Sequence, residues 1–423
     1  MEPWAVIAAG TVVGGYAAVS RRLASTVVSG PMVFVACGLL IGPPGLDLLD
    51  RAHDTEITRA LLESALALVL FTGAASVRRR DLRRERSLPV RLLAVGLPLT
   101  MVLGWLAAWA VLPGLGGWEL ALVGIVLAPT DAALGQQAVS DRRVPALVRH
   151  GLNVESGLND GIVLPFFVLA LAAAGGGEHG RQGPLAALLL ALVASSAVGL
   201  AAGWLGARVL RWSAERDRST PGWRQLLVPV VPATAYALCV VVDGSGFIGA
   251  WVAGLAFGSV LRGTTPADRP AAGDEGIRHS VEFTDRLGEL LASLSFLLFG
   301  AVILGPVLEH LDWRMALYAV LSLTVVRMIP VAVSLIGTGL RPPTVAYVGW
   351  FGPRGLASVV FGLIAFEEQL PGTALFSGVI ALTVALSVCA HGASAVFLGG
   401  RYGSWYADAV RGRPGLREKG PVP

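Results

Sequence analysis

Charge is scarce in this sequence. Only 15% of its 423 residues are Asp, Glu, Lys or Arg, against about 25% in an ordinary soluble domain. That composition excludes a soluble enzyme, a disordered chain and a nucleic-acid binder. The small excess of 33 basic over 29 acidic residues is read instead as loop topology. Cysteine is nearly absent. Cys37, Cys239 and Cys389 stand far apart in apolar runs and make no CxxC or metal-ligand spacing, so buried inert thiols are expected. No HExxH, GxSxG or Asp-rich metal motif occurs, which argues against an intramembrane enzyme. Met1 is followed by Glu2 rather than a basic stretch, so no cleavable signal is expected.

Apolar residues are what the sequence has in abundance: 54% are hydrophobic, with 53 glycines besides. At roughly 20 apolar residues per transmembrane helix this allows about fourteen spans at most. Thirteen apolar runs can be read, at 4–20, 27–43, 57–77, 88–112, 118–139, 150–174, 184–210, 226–243, 246–262, 283–305, 312–337, 342–366 and 373–399. The loops after odd-numbered spans, with the tail, carry 27 of the 33 basic residues, including Arg78 to Arg86. The alternate loops carry only Arg51, Arg59, Arg181 and Arg314. Basic residues concentrate on the cytoplasmic side, so the N-terminus is expected outside and the C-terminus in the cytoplasm.

Five ionisable residues fall near the middle of spans: Asp131, Glu155, Asp160, Arg327 and Arg354. Charge at bilayer depth is costly and marks function by default. Span 6 begins HGLNVESGLNDGIVL. At 100° per residue, Glu155, Ser156, Asn159 and Asp160 share one face. Two carboxylates, a hydroxyl and an amide are hard oxygen donors suited to a small cation, and such a stripe must face protein or water rather than lipid. Arg327, in span 11, needs a partner. Glu155 is the one expected, leaving Asp131 and Asp160 for ions.

Spans 5 and 12 are interrupted. In LAPTDAALG, Pro129 breaks the helix, and Thr130 and Asp131 are expected to cap the half-helix running onward. In WFGPRGLAS, Gly352, Pro353 and Gly355 break span 12, with Arg354 at the break. Arg354 is expected either to share an acidic partner or to neutralise half-helix carbonyls. Two interrupted helices in corresponding positions point to a transporter's binding site. Spans 5 and 12 are seven apart, which fits spans 1–6 and 8–13 as two inverted six-helix repeats joined by span 7.

PTD at Pro129 to Asp131, ESGLND at Glu155 to Asp160, the mid-span Arg327 and GPRG at Gly352 to Gly355 together resemble the NhaP-type sodium/proton antiporters of the monovalent cation:proton antiporter superfamily. The resemblance covers nearly the whole chain. It implies an all-α polytopic membrane protein of thirteen transmembrane helices, usually a homodimer. The scaffold and dimerisation part would be about 1–87 and 226–305, and the ion-translocating core 88–174 and 312–399. A linker helix at 184–210 and a cytoplasmic tail at 400–423 complete it. The ion site would fall on Thr130, Asp131, Ser156 and Asp160, with Na+ at Asp131, Ser156 and Asp160, and Glu155, Asn159, Arg327 and Arg354 in support. The Asn159–Asp160 pair is similar to that of electroneutral exchangers. Where the family often has Pro after the TD, this chain has Ala132; Pro129 is placed to supply the break.

The expected function is therefore exchange of a monovalent cation, Na+ foremost, for H+ across the plasma membrane, with no cofactor beyond the transported ions. A K+/H+ antiporter or another cation-coupled carrier is the alternative, because oxygen ligands alone do not set Na+ against K+. Other polar residues in spans have plainer readings. Glu63 reads as an interfacial carboxylate. Glu289 stands near the cytoplasmic end of span 10, where a carboxylate attracts cations. Gln136 and Gln137 follow Asp131 on the half-helix. His391 reads as a hydrogen-bonded structural histidine rather than a pH sensor.

Overall fold

In hydrocarbon a backbone must satisfy its own hydrogen bonds, and every regular element of the chain's computed structural model is helical among the described residues. Those residues are 3–23, 26–46, 55–77, 87–131, 134–175, 183–262, 274–368, 370–412 and 416–419. Arg51, the basic stretch Arg78 to Arg86, Ala132 and Arg181 lie outside them.

The chain runs through α1 (Pro3–Leu23), α2 (Gly30–Ile41), α3 (Thr55–Ser76) and α4 (Ser87–Arg91), then by a π-helical turn into α5 (Leu97–Val111). Next come α6 (Gly117–Val126), α7 (Gln136–Ser140), α8 (Ala146–Ala173), α9 (Pro184–Glu215), α10 (Pro221–Val241), α11 (Gly246–Arg262) and α12 (Asp274–Leu298). A second π-helical stretch leads to α13 (Gly305–Glu309). It is followed by α14 (Trp313–Leu323), α15 (Val325–Ser334), α16 (Pro342–Trp350), α17 (Leu356–Glu367) and α18 (Thr373–Gly412). Eight helices among the described residues are long and apolar enough to cross a membrane, and four more are apolar but shorter. Large apolar side chains such as Leu205, Val230, Ile336 and Phe397 are exposed, as lipid contact requires. The chain is an integral multi-pass membrane protein.

Three readings of the sequence change. Span 11 is two helices, α14 and α15, parted at Thr324, which lies outside helical backbone geometry. Span 13 does not stop at 399: α18 runs on to Gly412, because Tyr402 is buried and stacks on Tyr347 and Trp405. Of the thiols expected to be buried, only Cys239 is; Cys37 is half-buried and Cys389 is exposed, since an apolar span has a lipid face as well as a protein face.

The chain divides into two compact units. Met1–Ala60, Glu85–Asn159 and Ser293–Pro423 form the first. Its core gathers Leu92, Val148, Leu152, Val331, Val348 and Phe351. Leu61–Arg84 and Asp160–Ala292 form the second, cored by Phe71, Leu210, Val228, Ala235, Ala253 and Phe257. α8 passes from one to the other between Asn159 and Asp160.

In the first unit the short segment after α18 returns to α16. Glu418 is buried, and its Oε1 accepts from the Arg341 N–H at 2.8 Å and the Thr344 hydroxyl at 2.9 Å. Arg341 is the N-cap of α16 and makes no side-chain cap of its own. The tail carboxylate therefore serves as that cap, at the positive end of the helix. Glu418→Ala is expected to destabilise the purified protein by about 1 kcal/mol, read as an earlier thermal unfolding, with the affinity for transported ion unchanged.

Candidate functional site

Two helix interruptions meet in the first unit. α6 ends at Val126 and leaves carbonyls without intrahelical partners. The Ser358 hydroxyl donates to Val126 O at 2.7 Å, and Arg354 Nη1 donates to Ala128 O at 3.0 Å and Pro129 O at 3.3 Å. α17 begins at Leu356, whose N–H donates to Asp131 Oδ2 at 2.9 Å. The Asp131 N–H in turn donates to Pro353 O at 2.8 Å. Each break thus caps the other. The carboxylate of one sits on the positive start of a half-helix, and the guanidinium of the other sits on the negative end of its counterpart.

This corrects the expected local capping. α7 starts at Gln136 with Gly135 as its N-cap and no side-chain cap bond. Asp131 Oδ1 receives a long 3.4 Å bond from Leu134 N–H. The start of α17 lies across the break and takes the carboxylate. Of the two roles expected for Arg354, the carbonyl-neutralising one holds, on the opposite span's half-helix rather than its own. Arg354 is completely buried.

Glycine is required at both edges of the second break. A Cβ on Gly355 would run into the Asp131 carboxylate, and one on Gly352 into the Arg327 guanidinium. Gly355→Ala is expected to cost about 1–3 kcal/mol through overpacking and to displace the carboxylate from Leu356 N–H. Exchange should be lost while protein remains detectable in the membrane; normal exchange would show that the close approach is not needed.

A hydroxyl and amide cluster lies beside this crossing. Thr130 Oγ1 and Ser156 Oγ are 3.0 Å apart, and Asn159 Nδ2 donates to Thr130 Oγ1 at 2.7 Å. Asn159 and Thr130 are buried, and Asn159 Oδ1 has no hydrogen-bond partner among the described residues. Glu155 and Arg327 pair in bidentate fashion, Nη1 to Oε1 at 2.6 Å and Nη2 to Oε2 at 3.0 Å, with both side chains 1% exposed. Asp160, also buried, is the next residue of α8 after Asn159 and the first of the second unit.

The other polar residues named from the sequence lie apart from the two breaks or in contacts of their own. Glu63 accepts from the Tyr236 hydroxyl at 2.9 Å, and Glu289 accepts from Arg286 at 2.8 Å on an exposed face. Gln136 is exposed, and the Gln137 side chain lies outside the described residues. His391 is buried and hydrogen-bonded through both ring nitrogens. Ser358 escapes sequence reading; its only signal is a hydroxyl in the first turn after GPRG.

Comparison with known proteins agrees with this architecture. Residues 8–399 match the family model of the transmembrane sodium/hydrogen exchangers. The chain is 23% identical over 378 residues to a K(+)/H(+) antiporter NhaP of Alkalimonas amylolytica, covering 88% of this chain and 62% of the relative. It is 27% identical over 368 residues to Na(+)/H(+) antiporter 2 of Zygosaccharomyces rouxii, covering 80% and 43% respectively. This chain therefore spans less than two thirds of these relatives. The structure of the sodium proton antiporter MjNhaP1 from Methanocaldococcus jannaschii superposes with a TM-score of 0.75 at 21% identity, covering 95% of this chain and all of that one.

Proposed function

Because the chain belongs to the transmembrane sodium/hydrogen exchanger family, we propose that it is a secondary active transporter exchanging a monovalent cation, Na+ foremost, for H+ by alternating access. The observation that carries this is the reciprocal capping of two interrupted helices beside a buried oxygen cluster. Unwound backbone at membrane depth is tolerated where it lines a site. The donors nearby are all oxygens, which suits an alkali cation. The unpartnered Asn159 Oδ1 supplies one acceptor more.

In this reading Thr130, Asp131, Ser156 and Asp160 form the ion site, with the cation at Asp131, Ser156 and Asp160. Ser156 and Asp160 stand four residues apart on continuous α8, so they lie on one face. Asp131 also holds the crossing in shape and lends negative potential. Glu155 and Arg327 pin α8 to α15. One carboxylate, Asp160, takes either the cation or the proton, which makes exchange obligatory and, with Asn159 beside it in place of a second acid, electroneutral. The fold reading that accompanies this is thirteen spans in two inverted repeats, a homodimer in the plasma membrane, and a cytoplasmic C-terminus. The alternation of basic loops supports that orientation.

A K+/H+ exchanger is a second reading, favoured by the name of the Alkalimonas relative. Everted vesicles with an imposed pH gradient, given Na+, K+ and Li+ in turn, separate the two. Dissipation by Na+ at lower concentration than K+ supports the first; the reverse order supports the second. No dissipation by any cation overturns both.

A further inference from the structure

One backbone hydrogen bond is missing at the break between α16 and α17, and both of its ends are met by the same helix. In a continuous helix the Arg354 N–H would donate to Trp350 O, four residues back. Here the Arg354 N–H donates to Ser387 Oγ at 2.7 Å. Trp350 O lies 2.9 Å from His391 Nε2 and also accepts from the Gly352 N–H at 2.8 Å. Ser387 and His391 are four apart on α18, and His391 Nδ1 is 3.2 Å from Ser387 Oγ and 3.0 Å from Ser387 O. Ser394, one turn further, accepts from Trp350 Nε1 at 2.9 Å. The Trp350 ring lies against the imidazole with centroids 5.1 Å apart. Positions 387, 391 and 394 fall on one stripe of a helix. A carbonyl can only accept, so Nε2 carries a hydrogen whatever the charge of the ring.

We propose that Ser387 and His391 are positioning residues for cation exchange: together they stand in for the missing backbone bond and hold the break at the spacing that keeps Arg354 and the Asp131-capped start of α17 in place. The proposal rests on the exchange function proposed above. Neither residue reaches the cation. Arg354 follows directly from the bond that Ser387 makes, and its guanidinium holds Ala128 O and Pro129 O next to Thr130 and Asp131. Lengthening the break by a few tenths of an ångström therefore moves the groups around the ion. His391 is accordingly a bridge between chain segments, a role that lone buried histidines in apolar spans do not reveal by sequence.

The test uses the full-length chain in proteoliposomes, with cation-dependent dissipation of a pH gradient as the readout and thermal unfolding measured on the same preparations. Ser387→Ala strands the Arg354 N–H, and His391→Leu removes the imidazole bond to Trp350 O, leaving that carbonyl the Gly352 N–H. Each is expected to raise the apparent KM for the cation up to about tenfold, the scale of one buried hydrogen bond removed. His391→Gln, which can still donate to Trp350 O, is expected to stay within about twofold of wild type. A purely structural role would lower the amount of folded protein and leave the KM of what remains unaltered. Wild-type KM in Ser387→Ala overturns the proposal, as does equal impairment of His391→Gln and His391→Leu. If His391→Leu fails to fold, Ser387→Ala and His391→Gln decide alone. Wild-type protein that moves no cation would instead overturn the functional reading.

Discussion

Asp160→Asn is expected to abolish cation and proton movement together. Asp160 is on the face of α8 that also carries Ser156; the other acid of that face, Glu155, is paired with Arg327, and the residue before Asp160 is Asn159. If proton and cation compete for this one group, mass action makes apparent cation affinity fall about tenfold for each pH unit on the acid side of its titration midpoint. On the alkaline side the affinity levels off, because no proton is left to displace. The asparagine cannot ionise, so neither ion has a carrier. Flux in reconstituted vesicles measured between about pH 5 and 8 checks the prediction, since a carboxylate serving an exchanger must titrate within its working range. Residual coupled exchange in the variant, or an affinity indifferent to pH in wild type, would sink the competition mechanism.

The second large effect concerns folding. Glu155→Gln removes the charge from a bidentate pair whose partners are both 1% exposed. It leaves the Arg327 guanidinium stranded, at a typical cost of about 3–5 kcal/mol. Since Glu155 is on α8 and Arg327 on α15, the loss unpins two helices that flank the crossing. The monodisperse peak in detergent should shrink sharply for Glu155→Gln and for Arg327→Gln. The double substitution should recover part of it, because two neutral amides strand nothing. Single variants that express and exchange like wild type would show that the pair carries little.

The difference between what was legible in the sequence and what was not follows from the range of the interactions. The pairing of Glu155 with Arg327 is legible because a guanidinium at mid-span needs an acidic partner and Asp131 and Asp160 are wanted for ions. The two breaks were visible because Pro129 and Gly352 to Gly355 act on their own backbone. Which break caps which was not visible. Asp131 has a local helix start to serve, at Gly135 and Gln136, and instead serves Leu356; only the crossing of two helices far apart in sequence decides that. The bend at Thr324 leaves no trace either, since VLSLTVV around it carries no proline, glycine or charge. The extension of α18 to Gly412 was missed for a related reason: hydropathy marks where lipid contact ends, whereas the helix ends where the packing of Tyr402 and Trp405 ends.

The glycines at 352 and 355 have a consequence at the level of the gene. Every missense change of one base in a glycine codon yields a residue with at least a Cβ: alanine, valine, serine, cysteine, arginine, tryptophan, aspartate or glutamate. At 352 the added atom meets the Arg327 guanidinium, and at 355 it meets the Asp131 carboxylate. Neither codon has a harmless missense neighbour in the genetic code, so drift cannot carry these sites even one step without a compensating change elsewhere. In a saturation library selected for exchange, both positions should be empty of every replacement. An exposed position on the same span, such as Phe366, should accept most apolar ones.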